Sequence, residues 1–391
     1  MDAMLVKAIA CAVLVLGLSM GTKAQQPTAE PVVARDLNEE TQFIGVTVKD
    51  LYGREETRKI PVTIFRPAGA GPFPLVVMNH GRAVTGKRAQ QGRGRFEQFS
   101  RYMVSKGFVV MVPTRMGYAD TYGDFDPEVS GSCTALRPEA MAQAASDQVL
   151  ATVNFAKSLP YVDTSRWIVA GQSVGGLATL ATAWRNPAGL VGGINFAGGT
   201  GGNPDQNPGR PCQPNRVESF WGGKARDAVV PLLWLYWDND LYWGADVPRK
   251  WHAAWVAGGG KAEFHQLPAI GTDGHNAMAI DMDHWVPIAE KFLAGLGFDK
   301  PGVIARPSAS GFARVDEIDK VPATATQRDG IYKQFLNAKP PRALALGADG
   351  ALGWATGDWA MGKALGLCQQ RRGAPCKLYA VDDDVVWTPS K

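Results

Sequence analysis

The chain has 391 residues, of which 45% are hydrophobic and 20% are charged, and its formal net charge is +4. This length and apolar content predict a globular protein with a large core and two or three domains, which excludes the disordered and fibrous classes. A charge so close to balance gives no indication of a nucleic-acid partner. The sequence contains no dinucleotide- or phosphate-binding glycine motif, and its five histidines lack metal-ligand spacing. We therefore expect no cofactor and no metal.

The first residues predict a signal peptide that covers residues 1–24. Lys7 precedes an uncharged apolar run from Ala8 to Thr22, and the small residues Thr22 and Ala24 suit cleavage after Ala24. The run is shorter than the roughly 20 residues of a membrane span, so an uncleaved anchor is the less favoured alternative. We expect a mature chain without a membrane span, located in the periplasm or secreted.

Four cysteines remain after that cleavage, and an even number in an exported protein favours disulfides over a metal site. They are Cys133, Cys212, Cys368 and Cys376. Three pairings are possible. The alternative is that some of the cysteines remain free thiols. The simplest pairing joins Cys368 to Cys376 in a short loop and Cys133 to Cys212 across two long loops.

In chain order, short apolar runs alternate with amphipathic stretches, a pattern typical of helices packed on a mostly parallel sheet. The first two predicted strands, 44–50 and 58–67, are expected to pair antiparallel. The later predicted strands are 72–81, 108–115, 166–173, 190–199, 231–240 and 262–269. The predicted helices are 94–107, 137–160, 174–187, 247–260 and 284–297. The Gly/Pro/Asn-rich stretch 198–228 is predicted as an excursion between two strands.

These patterns divide the chain into consecutive segments. We expect a signal peptide (1–24), an N-terminal extension (25–42), a large α/β domain (43–300), a linker (301–328) and a small disulfide-containing α+β module (329–391). Three consecutive aspartates begin at Asp382 in the last segment. Because adjacent side chains point to opposite faces of a strand, a solvated turn is favoured over a cation site there.

The strongest catalytic motif is Gly171-Gln172-Ser173-Val174-Gly175. A GxSxG pattern alone is weak in a chain with 45 glycines, but this one lies where a predicted strand meets a predicted helix. A sharp turn at such a junction raises the serine hydroxyl above the sheet, and the flanking glycines leave room for the strained backbone. Ser173 is therefore predicted to be a nucleophile, with the Val174 N–H as an oxyanion donor.

A serine nucleophile needs a base, and position distinguishes the five histidines. His275 lies in a glycine-flanked loop after the last predicted strand, where the base of such a sheet belongs. His284 is the alternative, although a polar cap near the start of the last helix suits it better. His80 precedes the serine and is interpreted as a structural residue that fixes its own loop. His252 and His265 lie within a predicted helix and a predicted strand.

The predicted acid follows the strand 231–240, which offers Asp238 and Asp240. Asp240 is favoured because it lies just past the turn, and Asp273 is interpreted as a turn residue. The second oxyanion donor should come from the loop after strand 72–81, where the backbone N–H of Arg82 is the candidate.

The segments "NHGR", "GQSVGG", "WDNDLYW" and "GTDGHN", in this order and spacing, resemble the dienelactone hydrolase-like branch of the α/β-hydrolase superfamily. That branch includes secreted esterases and relatives of prolyl-oligopeptidase-type peptidases, and the resemblance covers roughly residues 43–297. It implies an α/β-hydrolase fold, with a mostly parallel eight-stranded sheet and helices on both faces, and a triad of Ser173, Asp240 and His275. Dienelactone hydrolases proper use a cysteine nucleophile. The serine found here therefore favours general ester cleavage.

The expected activity is cleavage of a small-molecule carboxylic ester through an acyl-enzyme on Ser173. The pocket walls are expected in the loops 117–136, 198–228 and 237–247, and their aromatic residues favour an aromatic or planar substrate group. These aromatics are Tyr118, Tyr122, Phe125, Trp221, Trp237, Tyr242 and Trp243. Two alternatives remain: a serine peptidase or amidase on the same fold, and an inactive secreted binding protein that works through its C-terminal module.

Overall fold

The computed structural model describes residues 34, 37–83, 87–303, 306–347, 350–372 and 376–389. The predicted signal peptide lies outside the described residues. Within these ranges, no helix combines the length and the apolar character that a membrane crossing requires.

Eight strands form the main sheet. They are β1 (Glu40–Lys49), β2 (Glu55–Phe65), β3 (Phe73–Asn79), β4 (Val109–Pro113), β7 (Val162–Gln172), β8 (Leu190–Phe196), β9 (Leu232–Trp237) and β10 (Ala262–Leu267). A separate hairpin of β5 (Gly131–Ser132) and β6 (Ala135–Leu136) lies between β4 and β7. The spatial order of the main sheet is β1-β2-β4-β3-β7-β8-β9-β10. β2 pairs antiparallel with both neighbours, and the other pairs are parallel.

The central strands have long apolar runs because helices cover both faces of the sheet. Every residue of β4 and of β9 is buried. The antiparallel pairing of the first two strands is confirmed. β1 begins at Glu40, so the last residues of the predicted N-terminal extension belong to the sheet.

Six helices accompany this sheet. They are α1 (Glu97–Ser105), α2 (Pro138–Ala156), α3 (Val174–Trp184), α4 (Pro214–Lys224), α5 (Asp246–Ala257) and α6 (Met282–Gly295). α4 lies within the stretch that composition predicts as an irregular excursion. Pro214 supplies a preset φ angle at its first position, and Val217, Phe220 and Trp221 form a buried face at helical spacing. The glycines and prolines around α4 conceal this short helix in the sequence.

The C-terminal module is built on a four-stranded antiparallel sheet with helices on both faces. Its strands are β11 (Arg342–Gly347), β12 (Leu352–Thr356), β13 (Cys376–Val381) and β14 (Asp384–Val385), in the order β12-β11-β13-β14. Its helices are α7 (Ala325–Gln327), α8 (Lys333–Asn337) and α9 (Ala360–Arg372). Residues alternate along β11: Ala343 and Ala345 pack in the same cluster as α9, and Leu344 and Leu346 pack with Tyr332 and Phe335 on the other face.

The segment that composition predicts as a linker contacts this module. The Ser310 N–H donates to the Val385 carbonyl at 2.8 Å, and the Phe312 and Trp387 rings meet at 4.9 Å. The Tyr332 hydroxyl donates to the Val315 carbonyl at 2.7 Å. Residues 306–324 therefore pack on the module's sheet.

The aspartate run forms the turn between β13 and β14 and pairs with arginines. Arg306 contacts Asp382 at 3.0 Å and Asp384 at 2.7 Å, and Arg342 contacts Asp383 at 2.8 Å. These carboxylates therefore hold the predicted linker segment and β11 to the end of the sheet.

Candidate active site

Ser173 occupies a sharp turn between β7 and α3. Its φ and ψ are 59° and −122°, a region that residues other than glycine rarely adopt. The turn is held because the Ser173 N–H donates to the Phe196 carbonyl at 3.0 Å and the Ser173 carbonyl accepts from the Gly176 N–H at 2.8 Å. The turn lies at the carboxyl end of β7, a central strand, and Ser173 lines a cavity there.

The two glycines of the GxSxG motif are required by close backbone approach. A Cβ atom on Gly171 would lie 2.0 Å from the Gly175 carbonyl oxygen. A Cβ atom on Gly175 would lie 2.0 Å from the Asn79 carbonyl oxygen at the end of β3. Both separations are far below van der Waals contact, so any side chain at either position would displace the serine turn.

His275 and Asp240 form a buried pair at the carboxyl ends of β9 and β10. The His275 Nδ1 atom lies 2.9 Å from Asp240 Oδ2. The second carboxylate oxygen, Oδ1, accepts from the backbone N–H groups of Tyr242 at 2.7 Å and Trp243 at 3.0 Å. Asp238, the other predicted acid, is exposed. Of the two aspartates, the structure therefore brings Asp240 to the imidazole.

Three further groups position the imidazole. Asp273 caps the 3-10 helix Gly274–Ala279, since its Oδ1 accepts from the His275 N–H at 2.9 Å and from the Leu241 N–H at 3.0 Å. The Gln172 amide donates to the His275 carbonyl at 2.8 Å. The Tyr242 ring stacks on the imidazole at 3.9 Å. The Gln172 contact is not predicted from the sequence, although the position of Gln172 directly before Ser173 is a signal for it.

The second ring nitrogen, His275 Nε2, is buried and has no hydrogen-bond partner among the described residues. A nitrogen in this condition is available to take a proton once a substrate brings the serine into reaction. His284, the alternative base, lies elsewhere: its side chain is 56% exposed and pairs with Asp281 at 2.5 Å. His284 therefore lies in the first turn of α6, where it pairs with the Asp281 side chain and makes no capping hydrogen bond to the backbone of the described residues.

The two predicted oxyanion donors belong to residues that line the same cavity as Ser173. Val174 is the first residue of α3. Arg82 follows Gly81, and a Cβ atom on Gly81 would lie 3.0 Å from Ser173 Cβ. Neither the Arg82 nor the Val174 N–H donates a hydrogen bond within the described residues. The Arg82 guanidinium is occupied separately, because it pairs with Asp126 at 2.5 Å.

His80 fixes the loop that carries Arg82. Its Nε2 accepts from the Arg115 N–H at 2.9 Å, so in the neutral ring Nδ1 carries the proton and donates to the Gly81 carbonyl at 2.7 Å. Burial, and then the nearby Arg115 charge, hold the pKa of His80 well below its ordinary value of 6.5. The structural interpretation of this residue agrees with these contacts.

His80 is expected to make the protein less stable in acid. Below pH 6.5 the unfolded chain protonates this histidine and the folded chain does not, so stability falls as pH falls from 6.5 toward the folded pKa. This one group contributes a loss of about 1.4 kcal/mol per pH unit in that window. Urea unfolding at pH 7, 6 and 5 should therefore show a shallower pH slope for His80→Gln than for the wild type. Equal slopes would contradict the assignment.

The cavity above Ser173 has a volume of about 370 Å³ and largely polar walls. Its lining includes Arg82, Ser130, Ser132, Thr200, Asn203, Gln206, Asn207, Arg210, Tyr242 and Trp243. The expected aromatic pocket is wrong in most of its residues. Tyr118, Phe125, Trp221 and Trp237 are fully buried in the core, and Tyr122 does not line the cavity. The large aromatic side chains pack in the core, so the loop side chains that line the cavity are mostly amides and hydroxyls.

The Cys133–Cys212 disulfide joins two walls of this cavity. Cys133 lies in the β5–β6 hairpin and Cys212 ends the loop before α4, and both line the cavity. The Gln213 amide also donates to the Cys133 carbonyl at 2.9 Å. The second disulfide, Cys368–Cys376, lies in the C-terminal module. Both bonds match the simplest pairing.

Removing the first disulfide should loosen the cavity walls. Cross-links of 79 and 8 residues contribute about 4.5 and roughly 2.5 kcal/mol by loop entropy, so Cys133→Ser with Cys212→Ser should lower the unfolding free energy more than Cys368→Ser with Cys376→Ser. We also expect KM for an ester to rise several-fold in the first variant and to stay unchanged in the second. Steady-state kinetics beside thermal unfolding test this, and equal KM values would argue against a wall held by the disulfide.

No protein-family model matches the sequence, and neither does any curated protein. Solved structures with similar folds include a protein described as a dienelactone hydrolase from Klebsiella pneumoniae, with 17% identity over 66% of this chain and 99% of that one, at a TM-score of 0.44. An esterase from Pyrococcus furiosus has 12% identity over 69% and 98%, at 0.46. An acylaminoacyl peptidase from Pyrococcus horikoshii has 15% identity over 68% of this chain and 42% of its own, at 0.46.

The topology itself assigns the fold. Eight strands in the order β1-β2-β4-β3-β7-β8-β9-β10, with β2 antiparallel to its neighbours, carry the serine turn after β7. Asp240 follows β9, and His275 follows β10. The chain therefore has the α/β-hydrolase fold, with a small C-terminal module added to it.

Proposed function

We propose that this protein is an exported serine hydrolase that cleaves carboxylic esters through an acyl-enzyme on Ser173. The observation that carries the proposal is the state of His275. Asp240 orients its Nδ1 atom, and its Nε2 atom is buried without a hydrogen-bond partner among the described residues. A histidine held in this way beside a strained serine turn has the arrangement of a general base.

The proposed reaction proceeds in two steps. Ser173 Oγ attacks the ester carbonyl while His275 Nε2 takes the hydroxyl proton, and the N–H groups of Val174 and Arg82 stabilise the negative oxygen. The imidazolium then gives its proton to the departing alcohol, which leaves an acyl-serine. Water then loses a proton to the same nitrogen and attacks the acyl carbonyl. The bond to Ser173 Oγ breaks as Oγ takes the proton back from the imidazolium, which releases the carboxylic acid and restores the serine hydroxyl.

Asp240 supports both steps electrostatically. Its carboxylate is buried and accepts two backbone N–H groups besides facing Nδ1. Those donors stabilise the carboxylate charge without adding a second proton acceptor near the ring. Asp240 can therefore hold the imidazole in one tautomer and stabilise the imidazolium that forms.

The cavity favours a small ester with a polar substituent. Its volume of about 370 Å³ is at the low end for ligand pockets, and its walls carry amide, hydroxyl and guanidinium groups. Export is supported by the two disulfides, since such bonds persist in oxidising compartments.

The test compares an ester with its matched amide. We expect the purified protein to hydrolyse p-nitrophenyl acetate and butyrate, and to cleave the corresponding p-nitroanilides far more slowly. A fluorophosphonate probe should label one peptide, at Ser173, as mapped by mass spectrometry. Faster cleavage of the anilides would instead indicate an amidase or peptidase. Absence of both turnover and labelling would overturn the hydrolase proposal.

A further inference from the structure

The helix α9 of the C-terminal module has two contact faces. One face packs into the core of its own module, and its residues recur at helical spacing: Ala360, Ala364 and Cys368. The neighbouring face contacts the part of the chain that carries the main sheet, here called the hydrolase domain. The contacting residues are Lys363 and Gly366 of α9 and Trp359, which directly precedes the helix. α9 therefore lies between the module's sheet and the hydrolase domain.

Two of these contacts hold α9 to helices of the hydrolase domain. The Trp359 ring packs edge to face on Tyr102 of α1, with ring centroids 5.8 Å apart. Lys363 forms an ion pair with Asp283 in the first turn of α6, and the lysine side chain is only 13% exposed. These contacts fix the position of α9 along the domain surface.

The third contact reaches the segment that carries the predicted base. A Cβ atom on Gly366 would lie 3.0 Å from the Ala279 carbonyl oxygen and 3.1 Å from Ala279 Cβ. Ala279 is the last residue of the 3-10 helix that begins at Gly274 and includes His275. The glycine thus allows α9 to press directly on the far end of this helix.

This 3-10 helix depends on its surroundings, because so short a helix has few internal hydrogen bonds. Its first residue is held where the Gly274 N–H donates to the Asn239 carbonyl at 3.1 Å. Near its end, the Met278 carbonyl accepts from the Trp285 indole at 2.8 Å. α9 supplies a further contact at Ala279, the last residue of this helix.

We propose that the C-terminal module is a positioning element for catalysis: through Gly366 on Ala279, α9 holds the 3-10 helix so that His275 faces Asp240. The inference rests on the proposed function in taking His275 as the base. In this role the module acts through the active site. Errors of about 1 Å in placing a catalytic group can cost on the order of a hundredfold in rate, so a modest shift of this helix is sufficient to matter.

The test enlarges Gly366 in two steps, in the full chain. Gly366→Ala should displace the 3-10 helix slightly, and Gly366→Leu should displace it further. The matched control is Gly330→Leu, because Gly330 also lies in a helical turn of the C-terminal segment but its Cβ position is open. We expect kcat to fall about threefold in Gly366→Ala and about tenfold or more in Gly366→Leu, with KM unchanged. The control should retain the wild-type kcat.

Active-site titration separates positioning from folding. The burst of p-nitrophenol counts functional sites, so kcat per site is unaffected if a variant merely unfolds in part. The low-field proton resonance of His275 Nδ1–H gives a second readout that needs no substrate. We expect it to shift or exchange faster in the Gly366 variants and to remain unchanged in Gly330→Leu.

The two proposals fail in different ways. If the wild type shows neither ester turnover nor fluorophosphonate labelling, the ester hydrolase proposal fails, and the resonance still decides the role of the module. An unchanged resonance in the Gly366 variants, or a kcat per site within twofold of the wild type in both, overturns the positioning role.

Discussion

Asp240→Asn is expected to lower kcat for ester hydrolysis by about ten-thousandfold, the loss typical of an acid-to-amide change in such a triad. Asp240 accepts from the Tyr242 and Trp243 N–H groups through Oδ1 and faces His275 Nδ1 through Oδ2. In the asparagine variant the backbone donors keep the amide oxygen on their side, so the amide nitrogen faces the ring. Nδ1 must then act as an acceptor, which places the ring proton on Nε2 and blocks the base.

The matched control is Asp238→Asn. Asp238 lies two residues earlier on the same turn and is exposed, and its substitution removes the same negative charge. We expect its kcat and KM to stay within about twofold of the wild type, because surface substitutions of this kind have small effects. Stopped-flow and steady-state rates on p-nitrophenyl butyrate would measure both variants. A large loss in Asp238→Asn with a small loss in Asp240→Asn would reverse the assignment of the acid.

Ser173→Ala is expected to reduce kcat/KM by at least about a thousandfold and to abolish fluorophosphonate labelling. Without the hydroxyl no acyl-enzyme forms, and only the oxyanion donors and the cavity remain to assist water. The turn itself should persist, because Gly171 and Gly175 permit its close backbone approach and alanine adds no bulk beyond Cβ. Circular dichroism and thermal unfolding should therefore resemble those of the wild type.

Ser130→Ala is the corresponding control, since Ser130 lines the same cavity. It should remain labelled by the probe and should change KM more than kcat. If Ser173→Ala retained labelling at another serine and most of its activity, the nucleophile would lie elsewhere in the chain.

The sequence predicts those features that depend on local pattern. Runs of apolar residues identify the central strands because helices cover both faces of the sheet, and the GxSxG glycines identify the serine turn because only glycine tolerates 2.0 Å backbone approach there. The antiparallel first pair and the simplest disulfide pairing also agree with the structure. Among the histidines, position after the last strand predicts His275 as the base, and the structure places this residue 2.9 Å from Asp240.

Other features depend on residues that are distant in the chain. Asp238 and Asp240 have similar sequence contexts, and only the path of the turn after β9 brings one of them within 2.9 Å of His275. The sequence predicts that the aromatic residues of the site loops line the pocket, yet most of them pack in the core because the loops fold their polar groups inward over Ser173.

The docking of the C-terminal module shows the same limit. Trp359, Lys363 and Gly366 form a contact face only against α1, α6 and the end of the 3-10 helix, which are about 80 residues or more away in the chain. A helix that packs on both sides has no single hydrophobic stripe, so periodicity cannot show which side meets the hydrolase domain. Local patterns thus specify strands, turns and the GxSxG motif, whereas the partners of a loop or helix follow from the packing of the whole chain.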